Sequence, residues 1–176
     1  MFNNNKKQTM EITHNPDGTL SYEAEGMRFC INPDEQLSKN FTLREMLRSN
    51  YAERLGIINL PRTPEIVPAL RSLCCEVLQP LREAMGTRIL LSSGYRTPCV
   101  NACVGGARNS QHTKGEAADI YCRTEALAHT YYNYIKSHLH YDQLILEHNV
   151  KAQVWWVHVS YTTRRALRNQ AFEQNL

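Results

Sequence analysis

Two apolar segments each carry one residue that resists burial, and this combination constrains the fold more than any other feature. Asp119 lies within the run AADI, and His158 lies within VWWVHVS. Both segments have the length and composition of buried strands. Burying a carboxylate without a partner is costly, whereas a divalent metal ion compensates its charge and uses it as a ligand. The sequence therefore predicts a fold in which Asp119 and His158 meet a cation.

A loop at residues 92–120 supplies a third residue for such a site. It is rich in glycine, which permits unusual backbone angles or close approach to a ligand. Within it, His112 precedes Asp119 by seven residues. Together with His158 these residues make two imidazoles and one carboxylate. Three such ligands leave the fourth zinc position for water, which is the pattern of catalytic rather than structural zinc sites.

Each of these residues also has a simpler interpretation. A histidine in an apolar strand is more often a hydrogen-bonded core residue than a ligand, and a buried aspartate can pair with Lys or Arg. The spacing of His112, Asp119 and His158 also lacks the one-turn regularity of the helical HExxH motif. The residues alone leave both a metal site and a hydrogen-bonded core open.

The chain alternates between short strands and helices. Apolar runs predict strands at residues 88–92, 116–121, 142–147 and 154–161, of which the last two form an antiparallel pair. Helical spacing predicts helices at residues 42–49, 65–85 and 124–139. Thr42 and Glu45 form a capping box at the start of the first helix, and Pro80 is expected to kink or end the second.

The organisation along the chain suggests three parts. Residues 1–35 form a peripheral lead-in, where Asn15-Pro16-Asp17-Gly18 predicts a hairpin turn. Residues 36–163 form one domain, since 42% hydrophobic content in 176 residues suffices for a single core. Residues 164–176 form a tail that is expected to be a polar helix or a frayed end.

Charge and hydropathy exclude several classes of protein. The net charge is only +3, and no run of Lys or Arg could follow a phosphate backbone, so nucleic acid is not expected as a partner. The start of the chain lacks the apolar core of a signal peptide, and no stretch is long and apolar enough to span a membrane. We therefore expect synthesis as a soluble cytoplasmic protein. The sequence does not indicate an oligomeric state.

The six cysteines are expected to be free and mostly buried thiols, because Cys74 and Cys75 are adjacent and no CxxC spacing occurs. Cys99 and Cys103 would share a helix face. That pair leaves a metal site or a strained crosslink as an alternative, although a structural zinc site normally needs four ligands.

The glycine-rich loop resembles the signature of the M15 peptidases, the zinc D-Ala-D-Ala carboxypeptidases. The residues that carry this resemblance are SGYR at 93–96, Asn101, VGG at 104–106, Ser110-x-His112, Gly115 and Ala118-Asp119. Downstream, WVHVS supplies the third ligand position of the pattern, and the similarity extends from about Phe41 to Tyr161.

The resemblance implies an α+β fold shared with the Hedgehog signalling domain, a small, mainly antiparallel sheet flanked by helices. It implies one zinc ion on His112, Asp119 and His158. It also implies a peptidase that hydrolyses D-amino-acid-containing stem or cross-bridge peptides of peptidoglycan, either as a carboxypeptidase or as an endopeptidase of the phage lysin type. Such an enzyme would reach the wall through lysis, phage delivery or another export route.

The same resemblance suggests roles for residues around the metal. Arg96 is expected to contact a substrate carboxylate or a developing oxyanion, with a structural salt bridge as its alternative. Relatives have an acid or a histidine just before the last zinc ligand, where this chain has tryptophans. Glu147 is therefore the candidate general base, and Asp142 is the reserve. Ser110 and Trp156 are expected to contact the peptide.

Two other functions remain compatible with the sequence. The missing acid beside His158 leaves open a zinc-bearing, catalytically inactive module that binds the cell wall. A metal-free structural protein of a phage or mobile element, with the histidines in its core, is the third possibility.

Overall fold

The computed structural model describes residues 10–176, so the first nine residues of the predicted lead-in lie outside it. The strands are β1 (Ile12–His14), β2 (Leu20–Ala24), β3 (Met27–Ile31), β4 (Gln36–Ser38), β5 (Phe41–Thr42), β6 (Leu90–Ser93), β7 (Ala117–Cys122), β8 (Gln143–Asn149), β9 (Val154–Ser160) and β10 (Gln170–Asn175). The helices are α1 (Leu43–Leu47), α2 (Asn50–Leu55), α3 (Ile66–Leu73), α4 (Gln79–Met85), α5 (Pro98–Cys103) and α6 (Glu125–His138).

The largest sheet has five strands in the order β10-β8-β9-β7-β6. Four of them pair antiparallel, as predicted for the β8 and β9 segments, but β10 runs parallel to β8. The predicted α+β class is confirmed, whereas the sheet is mixed. The parallel strand arises because the chain leaves β9, passes through residues 161–169 and returns beside β8. The Hedgehog-like arrangement stays a prediction.

Strand alternation separates two faces of this sheet. On one face, α6 packs against β7, β8 and β9, where side chains such as Val157 and Val159 are fully buried. The alternate positions of β9, including Trp156 and His158, point to the opposite face, where they border a cleft. The sheet therefore has one face in the hydrophobic core and one face available for chemistry.

A continuous helical stretch from Ile66 to Met85 contains a π-helical turn at Cys74–Leu78 between α3 and α4. In this turn the Gln79 N–H donates to the Cys74 carbonyl, five residues earlier. Pro80 follows directly, and a proline ring clashes with the carbonyl four residues before it in a regular helix. We expected Pro80 to kink or end the helix, and the second alternative is wrong, because the wider turn accommodates the proline and the helix continues to Met85.

The beginning of the described chain forms a separate three-stranded sheet in the order β1-β2-β3. The predicted turn is present, with the Asn15 N–H donating to the Thr19 carbonyl at 2.9 Å. The buried hydroxyl of Tyr22 donates to the Pro61 carbonyl at 2.9 Å, which attaches this sheet to the rest of the molecule. The N-cap of α1 also forms as predicted, since the Thr42 hydroxyl accepts from the Glu45 N–H, which is one of the two hydrogen bonds of the predicted capping box.

The expectation of a helical or frayed tail is wrong, because its end is strand β10. Ahead of β10, Arg165 and Arg168 both bind the fully buried carboxylate of Asp142, with shortest N–O distances of 2.6 and 2.7 Å. The backbone N–H of Arg168 also donates to Asp142. This buried charge requires cationic partners, and meeting that requirement holds the segment against the sheet.

All six cysteines lie within residues 10–176 and are free, as predicted, but only Cys74 and Cys122 are buried. The expectation of mostly buried thiols is wrong because Cys30, Cys75, Cys99 and Cys103 are exposed. Across the same residues, no helix is both long enough and apolar enough to cross a membrane.

Replacing Asp142 by Asn should destabilise the protein by roughly 2–3 kcal/mol. Removing one partner of a fully buried pair costs about 3–5 kcal/mol, and the partial exposure of Arg165 and Arg168 lowers that figure. Urea unfolding measures the difference. Asp34→Asn, which removes an exposed ion pair with Arg44, is the control and should leave the midpoint almost unchanged. Equal midpoints for the two variants would contradict this account.

The ion pairs of Asp142 with Arg165 and Arg168 also make the free energy of unfolding depend on pH. Burial raises the pKa of Asp142, but Arg165 and Arg168 outweigh this effect and hold it far below the ordinary value of 3.8. A lowered folded-state pKa contributes stability that is fully present above the unfolded value and is lost as the pH falls toward the folded value. The free-energy gap between the wild type and Asp142→Asn should therefore be constant from pH 7 to 5 and narrow below 3.8. Urea titrations across this range measure it.

Candidate metal centre and cleft

Three side chains converge on the cleft face of the central sheet. Asp119 in β7 and His158 in β9 are directly paired across two antiparallel strands. His112 comes from a 3₁₀ turn, Gln111–Lys114, that precedes β7. Asp119 Oδ1 lies 3.1 Å from His112 Nε2 and 2.9 Å from His158 Nδ1. The two ring nitrogens are 3.2 Å apart, so the three residues predicted as ligands form one compact triangle.

The orientation of His112 is fixed by the backbone of the glycine-rich loop. Its Nδ1 lies 2.7 Å from the Gly94 carbonyl, which accepts a hydrogen bond from that nitrogen. Gly94 is itself confined, because a Cβ there would lie 2.3 Å from the Met46 carbonyl oxygen at the end of α1. The hydrogen bond to Gly94 therefore selects the neutral tautomer in which His112 Nε2 carries a lone pair toward Asp119.

This donor set fits a divalent cation. In the neutral tautomer, His112 Nε2 is an acceptor, yet it lies against a carboxylate oxygen and another ring nitrogen, an unfavourable arrangement unless a positive charge lies among them. A tetrahedral zinc ion with bonds of about 2.0–2.1 Å to nitrogen separates its ligand atoms by about 3.3 Å. The observed separations of 2.9–3.2 Å are close to that value.

The charge states of these groups suit metal ligation. Burial lowers the pKa of His112, which favours the neutral imidazole that a metal requires. Burial alone would raise the pKa of Asp119, but the contacts with His112 and His158 hold it well below its usual range. At neutral pH the site therefore presents one negative charge, nearly buried, with the neutral imidazole of His112 beside it.

Arg96 borders the metal triangle. Its Nε donates to the Ser93 hydroxyl at 2.7 Å, and its Nη2 pairs with Asp119 Oδ2, the oxygen that faces away from the histidines. The salt bridge considered as the alternative for Arg96 is therefore present. The guanidinium also lines the cleft, so a role toward substrate remains compatible with its position.

Glu147 lies in β8 opposite Trp156, which places it diagonally from His158, as expected from the strand pairing. Trp156 Nε1 donates to Glu147 Oε2 at 2.6 Å. Burial raises the pKa of Glu147, and the nearby charge of Asp119 raises it further. The carboxylate is therefore oriented by a hydrogen bond, half-buried and more basic than an exposed glutamate.

Asp142, the reserve candidate for the base, is arranged differently. Its oxygens accept hydrogen bonds from Arg165, Arg168 and Gln111, and it does not line the cleft. Its strongly lowered pKa makes it a poor proton acceptor. The geometry therefore favours Glu147.

The cleft around these residues encloses about 680 Å³. Ser110 lines it, and its hydroxyl accepts from the His112 N–H at 3.3 Å at the start of the 3₁₀ turn. Beyond Arg96 and Trp156 a second hollow of about 400 Å³ continues toward Tyr51 and Arg54. An extended peptide could therefore pass over the metal triangle in either direction.

The model of the Peptidase M15 family matches residues 39–160 of this chain. The chain belongs to the M15 peptidases. The match contains the glycine-rich loop and all three residues of the metal triangle. It leaves out the three-stranded sheet β1-β2-β3 and the segment that carries β10. Membership in the M15 family confirms the resemblance inferred from the sequence and supports a zinc metallopeptidase.

A related protein points to the same kind of enzyme. The zinc D-Ala-D-Ala carboxypeptidase of Streptomyces albus G is 33% identical over 95 residues, which are 52% of this chain and 35% of that protein. The chain thus spans about a third of the length of this relative.

Several residues that shape the M15 centre were not singled out by sequence reasoning. Ser93 positions Arg96, and Gln111 links the 3₁₀ turn that carries His112 to Asp142. Three arginines of the tail, Arg164, Arg165 and Arg168, line the cleft. In the sequence these arginines appear only as part of the basic string TRRALR. The position of that string in the fold depends on contacts with residues that are distant in the sequence.

We expect the purified protein to retain about one equivalent of zinc, and His112→Ala to lose it, because one ligand and its orienting hydrogen bond disappear together. Metal analysis by mass spectrometry after dialysis measures the content. His14→Ala removes an exposed histidine in β1 and is the control that should keep zinc. Equal zinc content in wild type and His112→Ala would refute the site.

Proposed function

We propose that this protein is a zinc-dependent peptidase that hydrolyses D-amino-acid-containing peptides of peptidoglycan. The observation that carries the proposal is the triangle of two histidines and one aspartate on a cleft wall, with a half-buried carboxylate on the neighbouring strand. Either a terminal D-Ala residue or an internal cross-bridge bond would be cleaved, and the role of a phage-type lysin belongs to the same proposal.

His112, Asp119 and His158 would hold one zinc ion. When bound, zinc supplies Lewis acidity, which polarises a carbonyl group and acidifies water at the site. The protein's part is to orient His112 in the required tautomer and to keep the aspartate ionised. The Gly94 carbonyl serves the first purpose by holding the proton on His112 Nδ1, which leaves the Nε2 lone pair for a metal, and Arg96 serves the second by pairing with Asp119 Oδ2.

Glu147 would act as the general base. It accepts a proton from the attacking water and passes it to the leaving amine nitrogen. Its raised pKa suits this exchange, because a base is most effective when its pKa approaches the working pH. The 2.6 Å hydrogen bond from Trp156 fixes the direction of the carboxylate.

Arg96, Ser110 and Trp156 would bind the peptide. In the described residues, the hydrogen bonds to Ser93 and Asp119 use two of the five N–H donors of Arg96. The remaining donors would stabilise negative charge that develops on the peptide oxygen. Trp156 offers an apolar surface beside His158, and the Ser110 hydroxyl lies in the cleft at the start of the 3₁₀ turn that carries His112.

The substrate class is supported by two findings. Family membership supports a zinc peptidase, and the relative from Streptomyces albus G is named for cleavage at D-Ala-D-Ala. The match covers about a third of that protein, and we propose the same class of substrate for this chain. Access to the wall would follow host lysis, phage delivery or another export route.

Glu147→Gln should lower kcat by about 10²–10⁴-fold, the usual contribution of a positioned general base, while the zinc content stays unchanged. Release of amines or D-Ala from purified peptidoglycan and from synthetic stem peptides measures the rate. Glu173→Gln, on the exposed edge strand β10, is the matched control and should retain wild-type activity.

The products separate the possible outcomes. Free D-Ala indicates a carboxypeptidase, and newly exposed internal amines indicate an endopeptidase. The wild type loaded with zinc could instead bind peptidoglycan and release no product, like Glu147→Gln. That result would contradict the peptidase and support the catalytically inactive module that binds the cell wall.

A further inference from the structure

One end of the cleft is lined by four basic residues, which we call the basic end: Lys114, Arg164, Arg165 and Arg168. Three of them belong to the segment between β9 and β10, outside the residues matched by the family model. They line the same cleft as the metal triangle and Glu147. The basic end is therefore a part of this chain's cleft that the family assignment does not explain.

Positive charge exceeds negative charge at this end. Arg164 pairs with Glu116 at 2.6 Å, so those two charges cancel. Arg165 and Arg168 share the single carboxylate of Asp142. Since one carboxylate compensates one guanidinium, this trio retains a positive charge.

Lys114 adds to the excess. It is exposed, and among residues 10–176 it has no ion-pair partner within 4 Å. The basic end thus carries four positive charges against two buried carboxylates. A cleft wall with such an imbalance concentrates anionic ligands.

The arginines also keep unused hydrogen-bond donors. Within the described residues, Arg168 uses Nε and Nη2 toward Asp142 and Gln111, and Arg164 uses Nε and Nη2 toward Glu116. The Nη1 groups of both residues have no protein acceptor there. The side chains of Arg164 and Arg168 remain 53% and 43% exposed, so these groups can reach a ligand.

The strands set the position of the basic end relative to the reacting centre. His158 pairs with Ile145, and Glu147 lies two residues further along β8 on one side. Gln143, which pairs with Ser160 and follows Asp142, lies two residues away on the other side. Two residues of strand span roughly 7 Å. The base and the basic end therefore flank the metal triangle from opposite sides.

We propose that the basic end is a carboxylate subsite, which selects peptides that carry a free carboxylate about two residues from the scissile bond. This inference rests on the proposed function and specifies its substrate. Consider the stem peptide L-Ala-γ-D-Glu-L-Lys-D-Ala-D-Ala, cleaved between its two D-Ala residues. The α-carboxylate of D-Glu is then separated from the scissile bond by two residues, L-Lys and the first D-Ala. The guanidinium groups bind it through charge-assisted hydrogen bonds, which are stronger than those to a neutral amide.

A matched pair of peptides tests the subsite. One is the pentapeptide above, and the other has D-isoglutamine in place of D-Glu, which replaces the α-carboxylate of that residue by a carboxamide and leaves the C-terminal carboxylate unchanged in both peptides. Equilibrium titration of the zinc-loaded Glu147→Gln protein measures both affinities, and the wild type gives both values of kcat/KM. We expect the acid to bind at least about tenfold more tightly, with a preference that shrinks as salt screens the charges.

Two variants locate the preference. Lys114→Gln removes a charge without breaking an ion pair of the described chain, and Arg168→Lys keeps the charge but loses the planar fork. Each should lower the acid-to-amide ratio at least about threefold. Lys39→Gln, on an exposed turn with a 4.0 Å contact to Glu83, is the charge-matched control and should leave the ratio unchanged. A purely structural role of the arginines would alter stability without changing this ratio.

The results distinguish this inference from the proposed function. If both peptides bind equally, or neither binds, the subsite is wrong, whatever the cleavage rates are. If the acid binds more tightly but the wild type cleaves neither peptide, the carboxylate subsite is confirmed and the proposed peptidase function is wrong. Equal binding with efficient cleavage of both peptides would leave a peptidase without a carboxylate subsite.

Discussion

The contact of Asp119 with His112, His158 and Arg96 organises the centre of this molecule. The Asp119 carboxylate lies on a strand that is paired on both sides, and it is almost completely removed from the water that would solvate its charge. Each of its partners is held by a different piece of structure: the 3₁₀ turn, strand β9 and the loop after β6. Because the buried charge of Asp119 needs polar or cationic partners, it brings together segments that are separated by up to 62 residues in the chain, from Arg96 to His158.

Two further buried carboxylates follow the same rule with different partners. Glu116, just before β7, is satisfied by Arg164 and by the Thr162 hydroxyl. Asp142, just before β8, is satisfied by Arg165 and Arg168. Arginine remains charged at any pH of interest, so both carboxylates stay in ion pairs with arginine at neutral pH. Asp119 instead faces two imidazoles that can exist without charge, which leaves room for a metal ion.

The parts of the fold that sequence could predict are those with a local cause. The alternation of VWWVHVS placed His158 on a defined strand face, and Thr42 with Glu45 marked the start of α1, because both signals act over a few residues. The joint role of the metal triangle needed the resemblance to a family, since its three members are distant in sequence.

The features that were missed depend on tertiary contacts. Strand β10 has few apolar residues, and its burial pattern is mostly exposed, so no periodic signal distinguishes it from a tail. Its pairing with β8 is fixed by the arginines on Asp142. The π-helical turn before Pro80 likewise results from packing. The exposed thiols of Cys99 and Cys103 follow from the position of α5 on the surface.

Strand β10 has a consequence for the behaviour of the protein in concentrated solution. An uncovered β8 would offer its row of backbone amide and carbonyl groups as a template for another chain. By pairing along β8 from Gln143 to His148, β10 occupies that row. Its own outer edge carries the charged side chain of Glu173, and a charge on an edge strand disfavours further strand addition. The segment outside the family match thereby protects the strand that bears Glu147 from intermolecular pairing.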